Sequence, residues 1–196
     1  MFDIGQVIVP VYPRRAAETL ARDAGRTPEE ILAVVERDPL FREFQRGRIP
    51  PAAWHEHLSR ALGFELSFEE FVAAWNRTLG EQALLSDELF TELGRGRRLV
   101  LLSNTDPIHV AHIENRFRFP HLFAARIYSC TAGKIKPDAA LYAEAIEAAE
   151  APPEEILYVD DVPEFVEAGR RAGMQVYRFR GAEELLDELR ARGLVV

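Results

Sequence analysis

Residues 156–161 read ILYVDD, a short apolar run that ends in two adjacent aspartates. An apolar run of this length between polar segments is typical of a strand that is buried on both faces. Three further runs of the same kind are LVLL (99–102), ARIYSC (125–130) and QVYRF (175–179). Helical segments of about ten or more residues separate these runs, and that alternation is typical of a parallel sheet with covered faces. The sequence therefore predicts an α/β fold with a parallel sheet.

A different, almost wholly helical pattern occupies residues 12–83, which we call the helical block. Apolar residues recur there at spacings of three and four. Its five segments are RRAAETLARDAG (14–25), TPEEILAVVERD (27–38), PLFREFQRG (39–47), PPAAWHEHLSRALG (50–63) and SFEEFVAAWNRTL (67–79). Thr27 followed by Glu30 predicts a capping box at the second segment. We expect the block to form its own domain, inserted into a core domain of residues 1–11 and 84–196.

Composition and charge exclude several classes of protein. The net charge of −8 argues against a nucleic acid or an anionic membrane as the main partner. The single cysteine, Cys130, cannot form an internal disulfide, which fits a reducing compartment. No apolar run approaches the ~20 residues of a membrane span, and the first residues lack the pattern of a secretory signal. We expect a soluble cytoplasmic protein that is a monomer or a homodimer.

Polar side chains stand where the predicted strands end. Asp3 belongs to the first apolar run, Ser103 and Asn104 follow LVLL, and Asp160 and Asp161 follow ILYV. In open α/β sheets, binding sites form beyond the carboxyl ends of the strands. A nucleophilic carboxylate, a hydroxyl and an acidic pair able to hold a divalent cation are the groups that phosphoryl transfer needs. We therefore expect these residues to converge on one pocket.

The loop GKIKPD (133–138) supplies the positive charge of the predicted site. Lys134 and Lys136 are the only lysines among the 24 basic residues, and both lie in this loop. An ammonium group is a compact charge that suits a phosphate ligand. We expect Lys136 to reach both the phosphate and Asp3, and Lys134 to be solvated.

The three strand ends and the loop 133–138, in the order in which they occur along the chain, resemble the four sequence motifs of the haloacid dehalogenase (HAD) superfamily of aspartate-nucleophile phosphatases. FDIGQVIV, LLSNT, GKIKPD and YVDDVPEFVEAGRRAGM are similar to its first to fourth motifs, and the resemblance covers essentially the whole chain. The helical block is similar to the small helical cap of one subgroup. FDIGQVIV together with FREFQRGRI is similar to bacterial glucose-1-phosphatase-like members and to the phosphatase domain of soluble epoxide hydrolases. The resemblance implies a Rossmann-like parallel core with an inserted helical cap.

The resemblance also implies a role for each motif residue. Asp3 would be the nucleophile and a Mg²⁺ ligand, with the carbonyl of Gly5 as a second ligand. Asp161 would be the remaining carboxylate ligand, supported by Asp160. The phosphate would be held by Ser103, Asn104 and Lys136. The catalytic residues would be Asp3, Ser103 and Lys136.

Gly5 departs from the usual pattern of the superfamily. Most members carry a second aspartate two residues after the nucleophile, where it acts as general acid and base. General acid–base catalysis is typically worth ~10²–10⁴-fold. The sequence therefore predicts a slow phosphatase, or one that is selective for good leaving groups. Only Met1 and Phe2 precede the nucleophile, so the first strand either begins upstream or is short and ordered by its neighbours.

The preferred interpretation is a Mg²⁺-dependent phosphatase that acts on a small phosphorylated metabolite, a sugar phosphate being one candidate, through an aspartyl-phosphate. A 2-haloacid dehalogenase is the first alternative, but that chemistry needs no metal and leaves the pair Asp160–Asp161 unexplained. A phosphate-binding or regulatory protein that lost turnover together with the acid/base residue is the second alternative.

Overall fold

The computed structural model describes all 196 residues and contains a parallel sheet at the centre of the molecule. Its strands are β1 (Val100–Ser103), β2 (Ala125–Tyr128), β3 (Leu157–Asp160) and β4 (Gln175–Arg178). Strand β1 pairs with β2, and β3 pairs with β4, both in parallel. The predicted strands are thus present, and the α/β class with a parallel sheet is confirmed.

The first three residues join the two strand pairs into one sheet. Phe2 forms parallel bridges to Leu101 of β1 and to Val159 of β3. The backbone N–H of Phe2 donates to the carbonyl of Val100, and that of Asp3 donates to the carbonyl of Val159, each at 2.9 Å. The order across the sheet is therefore β2–β1–(residues 1–3)–β3–β4. This central segment is shorter than an ordinary strand of ~5 residues, and its neighbours on both sides hold it in place.

Eleven helices surround the sheet, and none of them is long and apolar enough to cross a membrane. They are α1 (Pro13–Ala24), α2 (Pro28–Arg37), α3 (Pro39–Gln45), α4 (Pro51–Leu62), α5 (Phe68–Asn76), α6 (Asp87–Leu93), α7 (Pro107–Arg116), α8 (Ser129–Ala132), α9 (Ala139–Ala149), α10 (Pro163–Arg171) and α11 (Ala182–Ala191). The predicted capping box is present, since the backbone N–H of Thr27 donates to Glu30 at 2.8 Å and that of Glu30 donates to Thr27 at 3.3 Å. The strand predicted over 125–130 is too long, because Ser129 turns the chain into α8.

Both faces of the sheet are covered. Leu101 points into a cluster that includes Phe90 of α6 and Leu185 of α11. Its neighbour Leu102 points the other way, into a cluster that includes Tyr142 of α9. Opposite directions for successive side chains follow from the two-residue period of a strand. Because both faces are buried at the centre of the sheet, the inner strands β1 and β3 are apolar up to the polar residue that ends each of them.

The helical block has an apolar core of its own. Helices α1 to α5 contribute to it, and its centre is a set of stacked rings, with Phe44 and Trp54 separated by 5.2 Å between centroids. Ile108 of α7 also packs into this cluster, so the block rests on the rest of the chain. This remainder, residues 1–11 and 84–196, carries the sheet, and we call it the sheet domain. The two connecting segments run side by side, and the N–H of Gly80 donates to the carbonyl of Pro10 at 2.8 Å.

A buried network of three side chains fastens α5 of the block to α7 of the sheet domain. Asp106 accepts from Trp75 Nε1 at 3.1 Å and lies 2.9 Å from His109 Nδ1. The other ring nitrogen of His109 lies 3.2 Å from the carbonyl of Trp75. The two groups that contact the His109 ring, a carboxylate and a backbone carbonyl, can only accept hydrogen bonds. Both ring nitrogens therefore carry protons, and the ring is an imidazolium. Burial by itself would lower the pKa of His109, but the carboxylate of Asp106 outweighs it and raises that pKa.

A second contact between the two parts lies at the end of α3. The hydroxyl of Ser129 lies 2.7 Å from the carbonyl of Gln45 and accepts from the backbone N–H of Thr105 at 2.8 Å. Gly47 has a φ of 68°, and a Cβ there would lie 1.9 Å from the carbonyl oxygen of Cys130. The turn after α3 can therefore approach α8 only with glycine at this position.

Substitution of Gly47 tests this approach, and Gly63 provides a matched control. Gly63 also has a positive φ, 84°, but no atom lies within 4 Å of the Cβ that alanine would add. We expect Gly63→Ala to cost ~1 kcal/mol through backbone strain alone. We expect Gly47→Ala to cost at least ~1 kcal/mol more, because the methyl group overlaps the Cys130 carbonyl. Urea unfolding of both variants measures the difference, and equal losses would contradict the close contact.

The stability that His109 provides should depend on pH. Its folded-state pKa lies above the ordinary value of 6.5, so the stabilisation is complete below about pH 6.5 and is lost as pH rises through the raised pKa. We expect His109→Gln to lower the free energy of unfolding by ~1–3 kcal/mol at pH 6. The gap between the unfolding free energies of the variant and the wild type should narrow at alkaline pH. Urea unfolding across this range measures the gap. The exposed His121, substituted in the same way, is the control, and a gap that stays constant for His109→Gln would refute the imidazolium.

Candidate active site

The ammonium group of Lys136 lies at the centre of the converging strand ends. Its Nζ donates to Asp3 Oδ1 at 2.8 Å and to Asp160 Oδ2 at 2.6 Å. A third bond, of 3.1 Å, goes to the carbonyl of Leu102 near the end of β1. Lys136 is only 2% exposed, so all three of its N–H groups are satisfied inside the protein. The structure thus brings the predicted lysine, the predicted nucleophile and one aspartate of the pair into direct contact.

The charges in this centre shift one another's protonation. Burial by itself would lower the pKa of Lys136, but the two carboxylates outweigh it and raise that pKa, so the group stays an ammonium. Burial raises the pKa of Asp3 to about 6; Asp160 adds to the rise and Lys136 opposes it. Asp3 is therefore a carboxylate at neutral pH, the form that a nucleophile needs.

The two aspartates after β3 have different surroundings. Asp160 is fully buried, and both of its oxygens are engaged: Oδ1 accepts from the N–H of Val162 at 2.9 Å, and Oδ2 accepts from Lys136 and from the Tyr158 hydroxyl. Asp161 is half-buried, and burial, followed by the charge of Asp160, raises its pKa. Asp160 is thus fixed by the protein, whereas the side chain of Asp161 forms no ion pair, although Lys136 and Arg178 partly oppose the rise in its pKa.

The acidic residues at this edge fit a divalent metal ion. Carboxylate oxygens of Asp3, Asp160 and Asp161 lie within 4.8 Å of one another. Three carboxylates with one ammonium leave two negative charges uncompensated in a largely buried place, and such charges are costly without a cation. Mg²⁺ prefers oxygen ligands of this type, usually one or two carboxylates together with waters. The residues present therefore suit Mg²⁺, with the backbone of Gly5 adjacent to Asp3.

Ser103 and Asn104 lie at the end of β1, next to the lysine. Ser103 is 2% exposed. The side chain of Asn104 is already engaged, since its Nδ2 donates to the carbonyl of Lys136 at 3.0 Å and its Oδ1 accepts from the N–H of Lys136 at 2.7 Å. The N–H of Thr105 is directed to Ser129 and away from the pocket. The Asn104 side chain therefore positions Lys136, which leaves one N–H of its amide, together with its backbone, for a bond to phosphate.

Gly5, where most members of the superfamily carry an acid/base aspartate, faces the predicted nucleophile Asp3. A Cβ on Gly5 would lie 3.9 Å from Asp3 Oδ2 and 3.4 Å from Cγ2 of Val11. The next side chain cannot replace it, because Gln6 is engaged with the backbone of Val11 through bonds of 3.0 and 3.3 Å. The space beside Asp3 is therefore bounded by backbone and by an apolar side chain.

The sequence did not identify two aromatic residues that surround Lys136. The Tyr158 hydroxyl bonds to Asp160, and the ring of Phe165 in α10 lies 5.0 Å from Nζ of the lysine. Tyr158 precedes Asp160 by two positions in β3, and that spacing on a strand places both on the same face. The two-residue spacing from Asp160 could have identified Tyr158 from the sequence. No sequence pattern pointed to Phe165. Lys134, expected to be solvated, is half-exposed and pairs with Glu144 at 2.7 Å.

Comparison with known proteins gives relatives that match nearly the whole chain. A curated relative, D-ribitol-5-phosphate phosphatase of Bacteroides thetaiotaomicron, is 23% identical over 195 residues, which cover 96% of this chain and 95% of that protein. A HAD family enzyme from the same organism, solved in complex with magnesium and inorganic phosphate, superposes with a TM-score of 0.82 at 23% identity, over 92% of this chain and 93% of that one. A predicted HAD-like family hydrolase from Porphyromonas gingivalis has a TM-score of 0.80 at 26% identity, over 97% and 95%.

The family model for haloacid dehalogenase-like hydrolases matches residues 14–173, which is most of the chain. The match includes the second, third and fourth motifs, while the first motif lies just before it. The structure brings that first motif to the others through the bond between Asp3 and Lys136. As the order of its strand-end motifs predicts, the chain belongs to the haloacid dehalogenase-like hydrolase family.

Proposed function

We propose that the protein is a Mg²⁺-dependent phosphatase that hydrolyses a small phosphate monoester. The observation that carries this proposal is the convergence of three carboxylates, within 4.8 Å, beside the buried ammonium of Lys136. A relative named as a phosphatase and a similar structure in complex with magnesium and inorganic phosphate support the proposal.

The reaction proceeds in two displacements at phosphorus. A carboxylate oxygen of Asp3 attacks, the bond between phosphorus and the leaving oxygen breaks, and an aspartyl-phosphate forms. No side chain at Gly5 can donate a proton, so the leaving oxygen takes one from water. A second water then attacks the aspartyl-phosphate, which releases inorganic phosphate and regenerates the Asp3 carboxylate.

Lys136 and Ser103 act on the phosphate beside Asp3. The ammonium holds Asp3 in one orientation and offsets part of the negative charge that accumulates as the phosphate approaches. Ser103, at the end of β1, donates a hydrogen bond to a phosphate oxygen. Asp3, Asp161 and the Gly5 carbonyl would hold Mg²⁺, which would further stabilise charge on the transferring oxygens. Asp160 orients Lys136, because both of its oxygens are already engaged within the protein.

The helical block 12–83 acts as the cap in this proposal, and residues 1–11 and 84–196 act as the core that carries the chemistry. The side-by-side linkers at Pro10 and Gly80 support the division, because the chain leaves the core and returns to it at one place. A cap of this kind excludes water from the site and selects the substrate.

The acidic cluster favours this function over a dehalogenase, whose aspartate nucleophile works without metal. A phosphate-binding or regulatory role would use the same cluster, and turnover separates that role from the phosphatase. A test of turnover is therefore also a test between these two functions.

Removal of the nucleophile should abolish turnover. Asp3→Asn cannot form the aspartyl-phosphate, so we expect kcat for phenyl phosphate with Mg²⁺ to fall by about 10³-fold or more. EDTA should have a comparable effect on the wild-type protein, and added Mg²⁺ should restore activity. The exposed Asp187, changed to asparagine, is the matched control. Phosphate release by Asp3→Asn at the wild-type rate, or by the wild type in EDTA, would contradict the mechanism.

The two aspartates after β3 should respond differently to the same change. Asp161→Asn should raise the Mg²⁺ concentration for half-maximal activity by about tenfold or more, with little loss of stability, because its carboxylate serves the metal. Asp160→Asn should lower the free energy of unfolding by on the order of 3 kcal/mol, because it removes a partner from a buried ammonium. Mg²⁺ titrations and urea unfolding of both variants measure the contrast. An interchange of the two effects would reverse the assigned roles.

A further inference from the structure

A cavity of about 310 Å³ adjoins the proposed phosphate site between the sheet domain and the helical block. Gly5, Ser103 and Asn104 line it where it meets the catalytic residues. The rest of its wall is mostly apolar and includes these six residues: Val11, Leu20, Ile31, Val35, Phe41 and Trp75. We call this cavity the apolar pocket. Its position makes it the place for the part of the substrate that leaves when phosphorus is attacked.

Most of the polar side chains that line the deep part of the pocket already have partners. Asp106 and His109 bond to each other, and both bond to Trp75. The amide of Asn104 has both its groups on the backbone of Lys136. Asp106 and His109 therefore cannot bond to a ligand without breaking a bond within the protein, whereas Asn104 keeps one free N–H on its amide.

Five further polar side chains line the pocket: Ser103, assigned above to the phosphate, the buried Thr105, and Glu36, Gln45 and Thr78. Gln45 and Thr78 are half-buried, and Glu36 is exposed. They can meet some of the hydroxyls of a polyol, but the greater part of the lining is apolar. The carboxylate of Glu36 also repels a leaving group that carries its own negative charge.

From this lining we propose that the substrate is a phosphate monoester of a compact apolar alcohol, short-chain or aromatic, with its hydrocarbon part in the apolar pocket. The proposal rests on the phosphatase function proposed above and specifies its substrate class. Burial of hydrocarbon in such a pocket is favourable, whereas a polyol gives up water and places some of its hydroxyls against apolar side chains. The pocket is about twice as large as the ~150 Å³ apolar cavity that takes up benzene, so it has room for such a group. This substrate differs from the ribitol phosphate in the name of the Bacteroides relative.

Pentyl phosphate and D-ribitol 5-phosphate form a matched pair for the test, because both are primary esters of a five-carbon chain and differ in their hydroxyls. We expect kcat/KM for pentyl phosphate to exceed that for ribitol 5-phosphate by tenfold or more. Along the series of ethyl, propyl, butyl and pentyl phosphate, we expect a rise of about fourfold for each methylene. Where turnover of an alkyl ester is too slow to follow, its inhibition constant against phenyl phosphate gives the same comparison.

A pair of neighbouring valines on α2 tests whether this pocket is responsible. Val34 and Val35 are both half-buried and both pack against the core of the helical block, but only Val35 lines the pocket. Val35→Thr should reduce the preference for pentyl over ethyl phosphate by about threefold or more, because it places a hydroxyl against the chain. Val34→Thr should leave that preference unchanged.

The outcomes separate this inference from the function on which it rests. Hydrolysis of phenyl phosphate together with an equal or greater kcat/KM for ribitol 5-phosphate would overturn the apolar substrate and leave the phosphatase standing. A flat alkyl series, or equal effects of the two valine variants, would also overturn it. The absence of Mg²⁺-dependent hydrolysis of every ester would overturn both proposals.

Discussion

The structure depends on the burial of one ammonium group among the ends of the parallel strands. A buried charge without partners is too costly to persist, so Lys136 requires Asp3, Asp160 and the Leu102 carbonyl around it. These partners come from three neighbouring positions across the sheet. The requirement therefore fixes how the strands end relative to one another, and it holds the three-residue segment that contains Asp3 at the centre of the sheet. The same arrangement that satisfies the lysine also holds Asp3, the proposed nucleophile, in place.

Much of this site could be predicted from the sequence, because parallel strands end at a common edge and the residues at those ends carry the chemistry. The strand over 156–161, the capping box at Thr27 and the meeting of Asp3 with Lys136 all follow from local patterns and strand topology. The contact of Trp75 with Asp106 and His109 could not be predicted, because it joins helices from separate parts of the chain. Periodicity identifies the buried face of a helix but does not identify its partner.

The side chain of Asn104 illustrates a second limit of the same kind. Its position after β1 suggested a ligand contact, whereas the structure uses its amide to hold the backbone of Lys136. An amide carries donors and an acceptor, and the sequence alone cannot tell which neighbour will take them. The candidate site is thus specified at two levels. Charged residues at strand ends decide the chemistry, and neutral polar residues around them decide where the charged groups stand.

The linkers of the helical block have a consequence for how proteins of this architecture diversify. The chain leaves the sheet domain near Pro10 and returns near Gly80, and these two positions are bonded neighbours. Another helical block could therefore replace this one between Pro10 and Gly80 without changing the hydrogen bonds between the strands of the sheet. Under the proposed function, the helical block and the substrate it selects can change in evolution while the proposed catalytic residues at the strand ends stay the same.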